Sequence, residues 1–196
     1  METLNKDFWD HRYINNDIGW DTGSITTPLK TYFDQLKNKD LRILIPGCGN
    51  AHEAEYLMNN QFKNVFILDI SELALFNFKN RVPNFPDDHL INEDFFYHKG
   101  EYDLMIEQTF FCAISPSLRS QYVKKTHDLL SKNGQLVGLL FNVDLNENHP
   151  PFGGSKKEYL TYFSPYFNIQ IMETSYNSIA PRNGRELFIK MIKNQR

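Results

Sequence analysis

The sequence has few residues of the kinds that cross-link a small protein or bind a metal. Only two cysteines occur in 196 residues, Cys48 and Cys112, and they form no C-x-x-C pair or Cys/His cluster. The six histidines are scattered without metal-ligand spacing. This excludes a disulfide framework and a structural zinc site, and it fits a reducing cytoplasm. We expect no metal, and no Ser/His/Asp or Cys/His pairing indicates a covalent nucleophile.

Long apolar runs and an excess of basic residues are also missing. No run approaches the roughly 20 apolar residues of a membrane-spanning helix, and residues 1–13 lack the apolar core of a signal peptide. The net charge is -3 and the pI about 6.1. A basic field that would hold nucleic acid is therefore absent. We expect a soluble, cytoplasmic monomer with a small-molecule partner and no contact with nucleic acid or membrane.

Strand-like and helix-like segments alternate along most of the chain. The strand-like runs are 41–47, 64–71, 102–108 and 135–142, and the helix-like stretches are 26–36, 50–60, 71–81, 116–130 and 159–167. A turn is expected at 132–134, and Ser71 is a plausible helix cap. Two further strand-like runs, 167–174 and 185–193, leave no room for a helix between them and are expected to pair antiparallel.

This order predicts an α/β fold with a single Rossmann-like, doubly wound sheet. The sheet should be mostly parallel, with an antiparallel C-terminal hairpin and helices on both faces. A length of 196 residues suits one domain, 1–196. Residues 1–25 would form an aromatic N-terminal arm or lid, because both tryptophans of the chain fall there.

Gly47 and Gly49 lie directly after the first predicted strand and before a predicted helix. In open α/β sheets, ligands bind beyond the carboxyl ends of the strands, at the point where the strand order reverses. Glycines let the backbone approach a ligand closely, and the amides at the start of the next helix can hold a polar group. A tight turn with a purely structural role would use the same residues, so this signal alone is weak.

Asp69 strengthens the ligand interpretation. It ends the second predicted strand, 22 residues after Gly47, where a carboxylate can accept both ribose hydroxyls of a nucleoside. The place of the third glycine of a dinucleotide site is taken by His52, which disfavours NAD. No Gly-Lys-Ser/Thr phosphate loop is present, which disfavours ATP. The glycine loop and Asp69 together therefore suggest another adenosine-containing cofactor.

Several segments, in this order, resemble class I S-adenosylmethionine-dependent methyltransferases. The closest resemblance is to the thiopurine S-methyltransferase family with its halide/thiol methyltransferase branch. The segments are FWDHRY…GWDTG (8–23), IPGCGNAHE (45–53), LDISELAL (68–75), NEDFF (92–96), YDLMIEQTFFCAISPSLR (102–119), LLSKNGQLV (129–137), HPPFGGSKKEY (149–159) and NSIAPRNGRE (177–186). The resemblance implies the cofactor S-adenosyl-L-methionine and the product S-adenosyl-L-homocysteine.

The resemblance also implies a cofactor site. Gly47 and its neighbours would cradle the methionine portion, Asp69 would anchor the ribose, and Asp94 and Phe95 would contact the adenine. An ordinary strand-end loop remains the alternative for the segment that carries Asp94. The full set implied for the cofactor is Trp9, Trp20, Gly47, Cys48, Gly49, Asp69, Ile70, Glu93, Asp94, Phe95 and Glu107.

No catalytic residue is certain, but the resemblance implies an acceptor pocket formed by Trp9, Tyr13, Gln108, Phe152 and Arg182. Aromatic faces attract a sulfonium as they attract other cations, so the arm would close over the cofactor; the alternative is an arm that only covers the sheet edge. Two positions depart from relatives. Gln108 stands where they carry Tyr or Arg, and Phe152 where the halide/thiol branch has Tyr.

These features predict methyl transfer to a small soft nucleophile, a thiol, a thiopurine-like compound, a halide or hydrosulfide. Such an anion attacking a sulfonium loses charge on the way to the transition state, so a dry pocket favours the reaction. Two main alternatives stay open, and a third is distant. One is an oxygen or nitrogen acceptor, for which Glu107 is the only candidate base. The other is a non-catalytic cofactor-binding sensor, and nicotinamide-dependent reduction is a distant further option.

Overall fold

The structure, a computed structural model, describes residues 3–195. Residues 1, 2 and 196, which the predicted domain and arm include, lie outside the described residues. The strands are β1 Arg42–Pro46, β2 Asn64–Asp69, β3 Leu90–Asn92, β4 Tyr102–Gln108, β5 Leu130–Phe141, β6 Phe167–Thr174 and β7 Glu186–Lys193. The helices are α1 Lys6–Ile14, α2 Thr27–Phe33, α3 His52–Asn59, α4 Glu72–Arg81, α5 Arg119–Leu129 and α6 Lys156–Phe163.

The described strands form one seven-stranded sheet in the order β3-β2-β1-β4-β5-β7-β6. Strands β1 to β5 pair in parallel, whereas β7 runs antiparallel to both β5 and β6. The predicted sheet, with its antiparallel C-terminal hairpin, is confirmed. The strand order reverses between β1 and β4, so the switch point lies at the ends of these two strands, where ligands bind in this architecture.

Helices cover both faces of the sheet, as predicted. Because side chains alternate along a strand, β1 contributes Leu44 to one core cluster and Ile43 and Ile45 to the other. The first cluster contains residues of α5 and α6, and the second contains residues of α2, α3 and α4. This two-sided burial explains why β1 is an almost continuous run of branched aliphatic residues.

Several helix ends follow local chemistry that the sequence shows. Ser71 caps α4 as predicted, because its hydroxyl accepts a hydrogen bond from the Ala74 amide at 3.2 Å. Helix α6 begins earlier than expected, since Ser155 caps it, and it ends before Pro165. The predicted helix 116–130 is divided into a 3-10 turn, Pro116–Leu118, and α5.

Other elements differ more clearly from expectation. The arm contains helix α1, which has no buried residue and so no apolar stripe from which to predict it. Strand β3 is only three residues long, too short for a pattern. The turn expected at 132–134 lies within β5, where Asn133 has a φ of 63° and the pairing register with β4 shifts. None of the helices within residues 3–195 is long and apolar enough to span a bilayer.

Candidate cofactor and acceptor site

A cavity of about 750 Å³ opens at the carboxyl ends of the parallel strands, at the switch point between β1 and β4. It is bounded by the arm, the glycine loop, the ends of β2 and β3, the segment after β4 and the C-terminal hairpin. Its lining includes ten of the residues that the resemblance implied: Trp9, Tyr13, Trp20, Gly47, Gly49, Asp69, Ile70, Asp94, Phe95 and Arg182.

The glycine loop requires glycine at both positions. Gly47 and Gly49 have φ values of +55° and +54°, in the left-handed region that disfavours side chains. A Cβ at Gly47 would lie 2.2 Å from the ring of Phe110, and one at Gly49 would lie 3.1 Å from the hydroxyl of Tyr13. The loop therefore has no side chains at these two positions, because aromatic rings pack against its backbone and the backbone itself borders the cavity.

Asp69 fixes this loop from the end of β2. One carboxylate oxygen accepts a hydrogen bond from the Gly49 amide and the other from the Ser71 amide, each at 2.9 Å. Burial raises the pKa of Asp69 to about 6, against the lowering effect of these hydrogen bonds. Each oxygen keeps a further lone pair, and the residue lines the cavity. The residues thus fit the ribose of an adenosyl group, whose hydroxyls would donate to this carboxylate.

The arm is held over the cavity by polar contacts with two helices. Asp10 accepts from the Ser71 hydroxyl at 2.6 Å, at the start of α4. Asp21 accepts from Asn50, and its other oxygen lies 2.7 Å from Nε2 of His52, at the start of α3. The arm therefore docks on the same two helix N-termini that border the glycine loop.

The aromatic residues of the arm form a connected group at the cavity wall. The ring centroids of Trp9 and Trp20 are 5.6 Å apart and those of Tyr13 and Trp20 are 5.8 Å apart, both edge to face. Arg12 lies 5.3 Å over the Trp20 ring. Of the two interpretations of the arm, cover for the sheet edge or wall of a ligand cavity, this placement supports the second.

Glu93 and Asp94, the two acidic residues after β3 that the sequence suggested for the cofactor, have different surroundings in the structure. Asp94 lines the cavity beside Phe95, and its carboxylate accepts from the Phe96 amide at 2.8 Å. Glu93 instead turns away to hydrogen-bond with Nδ1 of the buried His98. Of this pair, only Asp94 is in place to accept from an adenine amine.

Glu107 is also outside the cavity lining, although it is the penultimate residue of β4 and lies close to the switch point. It is only 1% exposed. One carboxylate oxygen accepts from the amides of Phe110 and Phe111 at 2.8 Å each, and the other accepts from the Tyr122 hydroxyl at 2.5 Å. Burial raises the pKa of Glu107 to about 7. Its contacts hold the segment after β4, and the carboxyl group itself does not line the cavity.

Three more of the implied residues do not line the cavity. Cys48 is buried in the core beside the loop, and burial raises the pKa of its thiol. Gln108 lies near the Thr26 hydroxyl, 3.4 Å away. Phe152 is 1% exposed, and its amide donates to the Cys112 carbonyl at 2.7 Å. The neighbouring prolines of the same loop, Pro150 and Pro151, line the cavity in its place.

The structure adds residues that the sequence did not identify. Phe110 lines the cavity, while its neighbour Phe111 is buried in the core. Arg12 and Arg185 also line the cavity. Arg185 lies three positions after Arg182, a spacing that could have directed attention to it. In the described part of the chain, no group of three or more His, Cys, Asp or Glu side chains is arranged to hold a metal ion.

Comparison with solved structures supports the fold alone. A magnesium protoporphyrin IX methyltransferase from Synechocystis, solved with S-adenosylmethionine bound, superposes with a TM-score of 0.74 at 13% identity, over 96% of this chain and 95% of that one. A 1,6-didemethyltoxoflavin-N1-methyltransferase from Burkholderia thailandensis gives a TM-score of 0.74 at 14% identity, over 97% and 87%.

Sequence relatives identify the family. Thiocyanate methyltransferase 1 of Brassica oleracea is 30% identical over 94% of this chain and 84% of its own length. A thiopurine S-methyltransferase of Francisella tularensis is 22% identical over 92% and 89%. A sequence profile of the thiopurine S-methyltransferase family matches residues 4–194. With this match over nearly its whole length, the chain belongs to the thiopurine S-methyltransferase family of S-adenosylmethionine-dependent methyltransferases.

Proposed function

We propose that this methyltransferase transfers the methyl group of S-adenosylmethionine to a small soft nucleophile that reacts as an anion, such as a thiolate, halide or hydrosulfide. One observation carries the proposal. Among the described residues, the cavity lining contains no His, Glu or Lys side chain. An oxygen or nitrogen acceptor would need a positioned base, whereas a soft anion needs none.

The titratable groups that do line the cavity are poor bases for an acceptor. Asp69 is engaged by two backbone amides and, in this assignment, by the ribose. Burial raises the pKa of Cys112 to about 12, so its thiol stays neutral at physiological pH. Burial likewise raises the pKa of Tyr13. Asp94 lies at the end of β3, on the side assigned to the adenine.

The cavity has an acidic side and a basic side, which orients the two substrates. Asp69 ends β2 and Asp94 follows two residues after β3, whereas Arg182 lies over Phe141 at the end of β5. Three strand spacings separate β2 from β5, which is about 14 Å at the usual distance between paired strands. We assign the adenosyl group to the acidic side and the acceptor to the basic side, with the methyl group between them.

The cofactor supplies an electrophilic methyl group on a sulfonium. The chain binds the donor, aligns the two reactants and excludes water. The glycine loop and Asp69 hold the donor, and three aromatic residues cover it: Trp9, Tyr13 and Trp20. Charge is lost when an anion meets a sulfonium, so excluding water speeds the reaction. Holding the two reactants in line supplies the rest of the rate enhancement.

The test is to incubate the protein with S-adenosylmethionine and, separately, iodide, hydrosulfide, thiocyanate and an aryl thiol. We expect S-adenosylhomocysteine together with the methylated product of at least one of them. Asp69→Ala should abolish cofactor binding, measured by calorimetry, while Asp69→Asn, which keeps an acceptor oxygen, should retain part of it. Turnover only with hydroxyl or amine acceptors would overturn the soft-nucleophile assignment, and cofactor binding without any turnover would favour a sensor.

We also propose the organisation around this site. Residues 1–196 would form one domain, with 1–25 as a lid that acts within a single chain as a monomer. Both cysteines are buried and free, which supports a reducing, cytoplasmic setting. Sedimentation of the purified protein tests the monomer, and limited proteolysis with and without S-adenosylhomocysteine tests the lid.

A further inference from the structure

His98 is a buried histidine to which the proposed function assigns no role. It is 5% exposed and follows the turn after β3. Both of its ring nitrogens have partners. Nδ1 hydrogen-bonds with the carboxylate of Glu93, and Nε2 lies 2.8 Å from the hydroxyl of Tyr102. An imidazole with a partner on each nitrogen has a fixed orientation, so His98 links two separate parts of the chain.

The two partners also assign the proton of the ring. In the neutral imidazole, Nδ1 carries the proton and donates to Glu93, because an ionised carboxylate can only accept. Nε2 is then the acceptor for the Tyr102 hydroxyl. Burial raises the pKa of Tyr102, so the phenol keeps the proton that it donates. Every donor of this network has an acceptor, and networks satisfied in this way hold their side chains in one arrangement.

The turn between Glu93 and His98 borders the cavity. Three of its residues, Asp94, Phe95 and Phe96, belong to the cavity lining. The His98 amide donates to the Phe95 carbonyl at 3.3 Å, so the histidine follows directly on the turn. The hydrogen bond between the Glu93 and His98 side chains therefore closes a loop whose middle part faces the cavity.

The base of this loop is attached to two other elements. Tyr102 is the first residue of β4, and it is 2% exposed within the core. From helix α5, Nζ of Lys125 donates to the His98 carbonyl. His98 is thus held by its backbone and by its ring, and the turn before it takes its position from the core of the sheet.

Asp94 depends on this support, because its own carboxylate has few contacts. One oxygen accepts from the Phe96 amide at 2.8 Å, within the same turn. The other oxygen has no hydrogen bond or ion pair within residues 3–195 and is available to an adenine amine. Hydrogen bonds weaken steeply with distance and angle, so a small displacement of the turn would remove this contact.

We propose that His98 is a positioning residue for the adenine of the cofactor. By joining Glu93 to Tyr102, it holds the turn where Asp94 can accept from the exocyclic amine. This inference rests on the placement of the cofactor in the proposed function, which assigns the adenosyl group to the acidic side of the cavity.

The experiment measures the preference for adenine over hypoxanthine. S-adenosylhomocysteine has an amine that donates to Asp94, whereas S-inosylhomocysteine has at that place a carbonyl oxygen, which a carboxylate repels. By calorimetry we expect the unchanged protein to bind the adenosyl compound about tenfold or more tightly. His98→Phe keeps an aromatic ring and removes both hydrogen bonds, and it should reduce this preference to within about threefold.

A second variant and a control separate positioning from folding. Tyr102→Phe removes one hydroxyl outside the cavity lining and should lower the preference by about threefold. His127→Phe is the matched control, because this partly buried histidine of α5 lies outside the lining and its Nε2 is 3.3 Å from the Asn194 carbonyl. It should leave the preference unchanged. The preference is a ratio of two dissociation constants, so an unfolded fraction does not alter it.

A full preference in His98→Phe would overturn the inference, as would equal binding of the two compounds by the unchanged protein. If His98→Phe does not fold, Tyr102→Phe decides by the same criterion. The binding assay needs no acceptor. If no soft nucleophile is methylated but the preference falls as expected, the role of His98 stands and the proposed function fails. Methylation of a thiol with a full preference in the variants would uphold the function and refute the role of His98.

Discussion

The ring of Phe110 lies on the backbone of Gly47, so close that a Cβ at position 47 would meet the ring carbon Cδ2 at 2.2 Å. Phe110 is carried by the segment after β4, and Gly47 by the loop after β1, so the contact joins the two strands of the switch point. The same ring lines the cavity, and its position therefore helps to set the shape of the site that we propose for the cofactor.

Replacing Gly47 by Ala should destabilise the protein and weaken cofactor binding. The change combines a strained positive φ with a collision against Phe110. Gly184→Ala is the matched control, because Gly184 has a φ of +72° but no atom within 4 Å of its Cβ position. Chemical denaturation should show a loss of about 1 to 2 kcal/mol for the control and a larger loss for Gly47→Ala. Equal losses would mean that the Phe110 contact relaxes easily.

Replacing Trp9 by Ala should reduce turnover more than stability. Trp9 is partly exposed and belongs to a helix without buried residues, so its removal takes little from the core. It does remove an aromatic face assigned to the sulfonium. A contact of this kind between a cation and an aromatic ring contributes about 0.5 to 2 kcal/mol to binding. Steady-state kinetics and thermal melts measure the two effects, with the 85% exposed Tyr176→Ala as control. A large fall in melting temperature with normal turnover would assign the arm a structural role only.

Replacing Glu107 by Gln should change stability in a pH-dependent way. Burial raises the pKa of Glu107 from 4.5 to about 7. The protonated form is therefore favoured by folding, and the stability it contributes is complete below pH 4.5 and lost as the pH rises through about 7. Relative to the unchanged protein, the free energy of unfolding of the variant should rise by about 3 kcal/mol as the pH increases from 4.5 to above 7.

Urea unfolding at pH 5 and pH 8 measures this gain. The exposed Glu101→Gln controls for the loss of one carboxyl group. A stability difference between Glu107→Gln and the unchanged protein that stays constant with pH would contradict the prediction.

Local patterns in the sequence were sufficient for the elements that determine the fold. The buried run of β1, the cap at Ser71 and the carboxylate at the end of β2 are each set by neighbours within a few positions. Helix α1 escaped prediction because contacts with other parts of the chain, such as that between Asp10 and Ser71, hold it in place and no apolar stripe does.

The composition of the cavity wall was harder to predict, because it depends on which way each loop turns. Phe152 points into the core: its loop packs so closely that a Cβ at Gly153 would lie 2.3 Å from the Val143 carbonyl oxygen. The prolines before it are therefore left to face the cavity. Arg185 was overlooked for a similar reason, since only the turn of the hairpin brings it beside Arg182.

The hydrogen bond from Arg182 to the Trp20 carbonyl joins residues 162 positions apart. During synthesis on a ribosome, Trp20 emerges long before the hairpin that holds it has been made. Domains begin to fold as they emerge, so the sheet from β1 to β4 can assemble while one wall of the site is still missing. Until the hairpin has been made, the cavity lacks the wall that Pro181 and Arg182 form, so the complete cavity exists only after the last strands have been synthesised.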